Sequence, residues 1–428
     1  HAKKQYREDR DPKETLFNFA RCMVHFAVDT NDVYMTTRID GNSTYFFPFN
    51  KGNNFGKGNP VNPHGHRTAY LWEEVFSRLS LANLMQHFAK LAGEKDNDPI
   101  HKKILFFPRY QQLEVVRQSL AHAGSHGVGH TYLIQHSAGS GKSNSITWLS
   151  YQLIELYQQG SVSPLFDSVI VVTDRRDLDK QLKNNIKQFS DIKNIVAHAD
   201  SSAALKTALE TGKKIIITTI QKFPHIVEGI DDLSDSKFAV IIDEAHSSQS
   251  GSAADKLNQT LGADDDGPDE VQDMILETMR RRKMRNNASY FAFTATPKNA
   301  TLERFGVKQT DGSFKPFHLY SMKQAIEEGF ILDVLANYTT YKSYYRIEKS
   351  IEENPLFDTK KAQKKLRAYV EADKETIKVK ADIMANHFIE QVVKPKKLKG
   401  KAKAMVITRD IKAAIRYYFS IKEALKKA

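Results

Sequence analysis

Thr131-Tyr-Leu-Ile-Gln-His-Ser-Ala-Gly-Ser-Gly-Lys-Ser143 is the stretch on which the reading of the 428-residue chain turns. An apolar run suited to a buried strand ends in a Gly/Ser-rich turn that closes on Gly141-Lys142-Ser143. Asn144-Ser-Ile-Thr-Trp-Leu-Ser-Tyr-Gln-Leu-Ile154 then has helical periodicity. Strand, loop and helix in that order suit a phosphate-binding loop. Backbone N–H groups around Gly139, Ser140 and Gly141 curl about a polyphosphate at a helix N-terminus, where the dipole favours anions. Lys142 is then placed to reach the β- and γ-phosphates, and Ser143 to put its hydroxyl on Mg2+. His136 stands where the usual motif has its first glycine.

A chain of this length predicts two to four domains. Hydrophobic content of 40% and charged content of 27% fit a globular protein, and no apolar run reaches a membrane span. The opening His-Ala-Lys-Lys-Gln-Tyr-Arg has no initiator Met or signal character and reads like the middle of a helix, so a fragment of something longer is expected. Cys22 is the single cysteine, which excludes an internal disulfide framework or a cysteine zinc site and suits a reducing cytoplasm. The net charge of +12 points to an anionic partner, nucleic acid first, or else to a solvated basic surface.

Three regions follow along the chain. Residues 1 to about 35 read as helical, with Phe17, Phe19, Cys22, Met23 and Phe26 on one face; two β segments flank the hairpin signal Asp40-Gly41-Asn42, and 70–95 return to helix. The Gly/Asn-rich stretch 50–60 is either a mobile connection or a loop that touches phosphate. From Leu105 to Pro297, continuously apolar runs alternate with helical stretches, the mark of a parallel sheet covered on both faces. An insert between Ser247 and Asn287 passes through Asp264-Asp-Asp-Gly-Pro268 into a polar helix and is expected at the surface. Beyond Pro297 a charged helical stretch, about 359–391, leads to the lysine run 394–403, either a solvated loop or a grip on DNA backbone. Ala404–Arg409 begins a new strand followed by a helix.

Phe238-Ala-Val-Ile-Ile-Asp243-Glu244-Ala245-His246 delivers two carboxylates to the end of a buried strand, where α/β folds hold ligands. Asp243 can hold Mg2+ through water, and Glu244 can orient and deprotonate the attacking water. Thr294-Ala-Thr296-Pro ends another strand in hydroxyls and reads as a relay between the nucleotide site and the lobe interface. In Phe107-Pro-Arg109-Tyr-Gln-Gln112, the Gln112 amide can read the adenine edge and Arg109 can cover the ring.

In this order the motifs resemble the superfamily 2 helicase motor. Together with Thr173-Asp-Arg-Arg-Asp-Leu-Asp-Lys-Gln181, Thr218-Thr-Ile-Gln-Lys-Phe223 and Tyr45-Phe-Phe-Pro-Phe-Asn-Lys-Gly52, they look like the R (restriction and translocation) subunit of type I restriction-modification enzymes. The resemblance implies an α/β RecA-like P-loop motor lobe with a parallel sheet at 91–298. An α+β segment at 1–90, the trailing part of a nuclease domain, would precede it, and an incomplete second RecA-like lobe at 299–428 would follow. It implies ATP and Mg2+ as ligands, with Lys142 and Glu244 as catalytic residues and Ser143 and Asp243 at the metal. His246, Thr294 and Thr296 would couple nucleotide to DNA, and Arg175, Arg176, Gln221, Lys222 and Arg409 would lie on the DNA-tracking face. Arg175 and Arg176 would otherwise be surface charge at a helix start.

The implied partners are double-stranded DNA and the modification and specificity subunits, in a bacterial cytoplasm. The family's Asp…Glu-x-Lys nuclease constellation is not found in the sequence, and the arginine finger of the second lobe is expected beyond Ala428, so the chain is expected to bind ATP and to hydrolyse it poorly alone. A stand-alone superfamily 2 helicase or repair translocase, and a nucleotide-dependent assembly scaffold, remain open alternatives.

Overall fold

The computed structural model describes residues 1–11, 13–93, 98–158, 160–173, 186, 195–199, 201–222, 225–226, 233, 235–243, 287–333, 374–395 and 403–427. Contacts divide the chain into two compact units, 1–338 and 339–428.

The first unit is built on a seven-stranded sheet, and its core strands show why it forms. In β6 (Thr131–His136), Tyr132 and Ile134 enter the core on one face while Leu133 enters the core on the other. β7 (Ser168–Thr173), β9 (Ile215–Thr219), β10 (Phe238–Ile242) and β11 (Ala288–Thr294) divide their side chains in the same way. Apolar residues at successive positions satisfy two cores at once, the condition for a strand covered on both faces. With β8 (Val196–Ala199) and β14 (His318–Tyr320), the order is β14-β6-β11-β10-β7-β9-β8, every pair parallel. Helices α1 (Tyr110–His126), α2 (Lys142–Ile154), α3 (Ser202–Glu210) and α4 (Asn299–Phe305) supply the covering layers. The mixed α/β fold with its parallel sheet is that of a RecA-like lobe.

The segment ahead of α1 departs from the helical reading of 1–35. Residues 2–9 and 15–17 are helical, but β1 (His25–Val28) and β2 (Val33–Thr36) form an antiparallel hairpin. Asp29 turns the chain by accepting hydrogen bonds from the backbone of Asn31 and Asp32, and period-two burial in both strands overrides the helical spacing of the aromatic residues. β3 (Phe47–Pro48) pairs with β2 beyond the turn at Gly41. Helical turns at 71–88 and the pair β4 (Lys90–Ala92) and β5 (Ile104–Phe106) complete the segment. It packs on α1 and α2: Tyr110 sets its ring against Phe49 and Tyr70, and Trp148 Nε1 donates to the Phe88 carbonyl at 3.0 Å.

The Gly/Asn stretch 50–60 is a built loop. Asn50 and Asn59, both buried, bond to each other and to the backbone of Val33 and Lys51. The loop clasps α5 (Met322–Glu327): Lys57 N donates to Glu327 at 2.8 Å, and Ser321 Oγ donates to the Phe55 carbonyl. A Cβ on Gly52 would meet the Gln324 amide at 2.6 Å, so the glycine permits close approach. Residues 299–333, expected in the second lobe, belong to the first unit; β14 extends its sheet.

In the second unit, α6 (Lys374–Phe388) and α7 (Ile411–Lys427) are described. The strand expected at 404–409 is not formed among the described residues: 403–408 have no ladder partner, and a strand exists through its ladder. The insert at 247–287 falls almost wholly outside the described residues, as do 359–373 and most of the lysine run. No described helix is long and apolar enough to cross a membrane.

Phe291 lies fully buried at the centre of the sheet with its ring stacked on Tyr132 at 4.4 Å. Phe291→Ala is expected to cost about 3–5 kcal/mol of stability, read from guanidinium unfolding.

Candidate nucleotide site

Because the sheet is parallel, β6, β10 and β11 all end on the same edge, and the candidate residues gather there. From β6 the chain turns through Ser137, whose N–H donates to the Tyr320 carbonyl of β14 at 3.0 Å. Gly139 and Gly141 then take positive φ of 71° and 78°, and α2 starts at Lys142 with Gly141 as its N-cap. No side chain caps this helix, so its first turn suits an external anion. Ser140 Oγ, at the crown of the loop, is buried with no hydrogen-bond partner among the described residues.

Two side chains from the start of α1 hold the loop. Gln112 Nε2 donates to the Gly141 carbonyl and Arg109 to the Gly139 carbonyl, each at 2.9 Å. Gln112 Oε1 accepts from Arg109 N–H at 2.9 Å, so both halves of the amide expected to read adenine are engaged within the protein. A Cβ on Gly141 would run into Gln112 and Arg109, which makes this glycine necessary for space as well as for φ. The Arg109 guanidinium also lies 4.1 Å over the ring of Phe330. Ile331, next to it, would stand 3.2 Å from a Cβ on Gly139. Phe330 and Ile331 went unnoticed in the sequence, since neither lies in a motif.

Lys142 is buried, and its Nζ lies 3.5 Å from the carbonyl of His136. Asp243 is buried immediately after β10, its N–H bonded to the Val172 carbonyl. Since β11 separates β6 from β10, two strand spacings of about 10 Å in all lie between the loop and Asp243, a gap that suits a phosphate with its metal. Ser143, in the first turn of α2, is half-buried. Hydroxyl, carboxylate, lysine and uncapped helix are the donor set that Mg2+ and a polyphosphate require.

Thr294 ends β11 fully buried, whereas Thr296 is exposed. Lys222 is half-buried and donates to Thr219 Oγ1 at 3.1 Å, and Arg409, in the second unit, is exposed beside Asp410. Glu244, His246, Arg175, Arg176 and the side chain of Gln221 lie outside the described residues.

His136 fills the missing glycine's place with a fully buried ring that bonds to His318 at 2.8 Å. Burial, aided by the neighbouring His318, Lys142 and Arg109, holds its basicity well below the usual histidine value.

A Gly-Lys-Ser loop at the carboxyl edge of a parallel sheet, with a buried aspartate ending the next strand but one, is the arrangement of the P-loop class on a RecA-like lobe. The chain matches the SWI2/SNF2 ATPase family over residues 111–368, more than half its length, and belongs to that family of superfamily 2 helicase-type motors. Among curated relatives, it is 28% identical over 280 residues to the endonuclease subunit of type I restriction enzyme SsaAORF53P from Staphylococcus saprophyticus, covering 62% of this chain and 26% of the relative. The corresponding subunit of SauCOLORF180P from Staphylococcus aureus (strain COL) is 25% identical over 324 residues, covering 74% and 29%. The chain thus spans between a quarter and a third of these relatives. A solved structure of the ATP-dependent Type ISP restriction-modification enzyme LlaBIII bound to DNA is 16% identical, covering 78% of this chain and 22% of that one, with a TM-score of 0.39, too loose a likeness to carry an inference.

The His136 ring gives a pH test. The unfolded chain takes up a proton here below about pH 6.5 that the folded protein refuses, so stability falls as pH drops through that window, by at most about 1.4 kcal/mol per pH unit from this group. His136→Asn is expected to lose less stability than wild type between about pH 6.5 and 5, measured by urea titration.

Proposed function

We propose that this chain is the motor portion of the R subunit of a type I restriction enzyme, binding and hydrolysing ATP to move along double-stranded DNA. The observation that carries the reading is the convergence of the Lys142 loop and Asp243 on one sheet edge, in a chain whose curated relatives are endonuclease subunits of type I restriction enzymes.

The loop N–H groups and the α2 N-terminus bind the triphosphate, and Lys142 moves from the His136 carbonyl to the β- and γ-phosphates. Ser143 and Asp243 would hold Mg2+, which would supply positive charge against the negative charge that develops on the phosphates. Glu244, following Asp243, orients the attacking water and takes its proton. Arg109 and Gln112 keep the loop open by holding its carbonyls away from the phosphates, and they flank the place for the base. Thr294, Thr296 and His246 pass the nucleotide's state onward, while Arg175, Arg176, Gln221, Lys222 and Arg409 contact DNA backbone. Such contacts carry no sequence information, so target choice falls to a specificity subunit, with a modification subunit as the other partner.

Lys142→Ala is expected to weaken binding of ATP with Mg2+ by at least about tenfold, measured by fluorescence titration. In the full-length subunit, Glu244→Gln is expected to bind ATP normally and to lose DNA-stimulated hydrolysis by at least about a hundredfold. On duplex DNA carrying a bound third strand, the motor should displace that strand without separating the duplex. Duplex separation would favour a stand-alone helicase or repair translocase. Full function of Glu244→Gln in complex assembly and cleavage would favour a scaffold.

A further inference from the structure

His136 departs from the usual loop pattern, and it also begins a buried line of side-chain hydrogen bonds. Its Nε2 lies 2.8 Å from Nδ1 of His318 on β14, and His318 Nε2 lies 3.1 Å from Oε2 of Glu114 on α1. Tyr110 donates to the other Glu114 oxygen at 3.4 Å. Both imidazoles are buried, and Glu114 is partly exposed. The line therefore joins three elements that bracket the loop: the strand that enters it, the edge strand that receives Ser137, and the helix whose Arg109 and Gln112 hold its carbonyls.

The protons on this line are determined by its end. A carboxylate only accepts, so His318 donates to it from Nε2, and as a neutral ring His318 offers the Nδ1 lone pair to His136. Opposite that lone pair His136 donates from Nε2 and keeps its Nδ1 unprotonated; that Nδ1 is buried and has no hydrogen-bond partner among the described residues. The charged and titratable groups around the ring are His318, Lys142 and Arg109, with Glu114 behind His318 and Tyr320 beside it. The same residue's carbonyl receives Lys142.

We propose that Glu114 and His318 are positioning residues for the phosphate loop. They act through His136, fixing its ring and with it the carbonyl that receives Lys142 and the backbone from which the loop departs. A motif with glycine at this position sets the start of the loop by its backbone alone; here a side-chain relay takes over that task. The inference rests on the reading of the loop as an ATP site.

The test is a fluorescence titration with a fluorescent adenosine nucleotide and Mg2+. His318→Phe, which keeps an aromatic ring, and Glu114→Ala are each expected to weaken binding about three- to tenfold, with the double variant no weaker than the worse single one, because members of one network are not additive. Unchanged affinity in either variant, or a double variant at the product of the two effects, overturns the proposal. Lys142→Ala separates the two readings. If it leaves affinity intact, the ATP site falls and the proposal with it. If it abolishes binding while the relay variants bind normally, only the proposal falls.

Nitrogen-15 NMR of labelled histidines decides the case in which a variant does not fold. Wild type is expected to show a ring protonated on Nε2 and bare on Nδ1 that stays so below the pH at which an exposed histidine takes up its second proton, and in folded Glu114→Ala that fixed tautomer is expected to be lost. A His136 ring protonated on Nδ1 in wild type overturns the relay.

Discussion

The parallel pairing of β6 between β14 and β11 is the constraint on which the site depends. A parallel strand has to be re-entered from the same end, so every connection crosses a face of the sheet and every carboxyl end emerges on one edge. That geometry brings Gly139–Ser143, Asp243 and Thr294 together although the chain separates them widely. The strands meet the requirement because they are apolar at successive positions and feed two cores, Tyr132 and Ile134 on one face, Leu133 on the other. Polar residues appear where the strands end, and there they face the ligand edge.

Around this edge the first unit builds a second layer of control. The loop itself is conformationally expensive, with two glycines at positive φ and an uncapped helix start. It is held from outside by Arg109, Gln112 and the β14 backbone, each through hydrogen bonds of about 1 kcal/mol net. The Gly/Asn loop at 50–58 reaches the same region from the amino-terminal segment, clasping α5 just before Phe330 and Ile331 lie against Arg109 and Gly139. Phe47 of β3 faces Phe330 with parallel rings 6.2 Å apart. The amino-terminal segment and the phosphate loop are thus consecutive links in one packed path.

Legibility in the sequence followed the range of the interactions. The turn at Gly139–Gly141, the helix start at Lys142 and the strand end before Asp243 were readable because a glycine-rich turn and a polar strand end each restrict residue type over a few adjacent positions. The strands were readable because burial on both faces leaves a continuous apolar run. Of the hairpin at 25–36, β2 was legible within the β segment Asp32–Arg38, but β1 was not, because the aromatic residues from Phe17 to Phe26 happen to fall at helical spacing, while the Asp29 turn that decides the matter is four residues of polar chain. The stretch 50–60 looked like a mobile connection because its order comes from Asn50, Asn59 and a glutamate almost three hundred residues away.

The sequence by itself determined the residue pattern: a glycine-rich turn closing on Lys142, an acidic strand end at Asp243, and a sheet that had to be parallel to bury its strands. Only the tertiary structure decided what stands behind that pattern. No local pattern joins His136 to His318, or Gly139 to Ile331, since these pairs are set by which strand lies beside which and by how a later helix folds back. A hydrogen bond between residues 182 positions apart leaves no mark on either neighbourhood. Motif chemistry is local and so is written along the chain, whereas the support of a motif is a matter of packing and is written only in space.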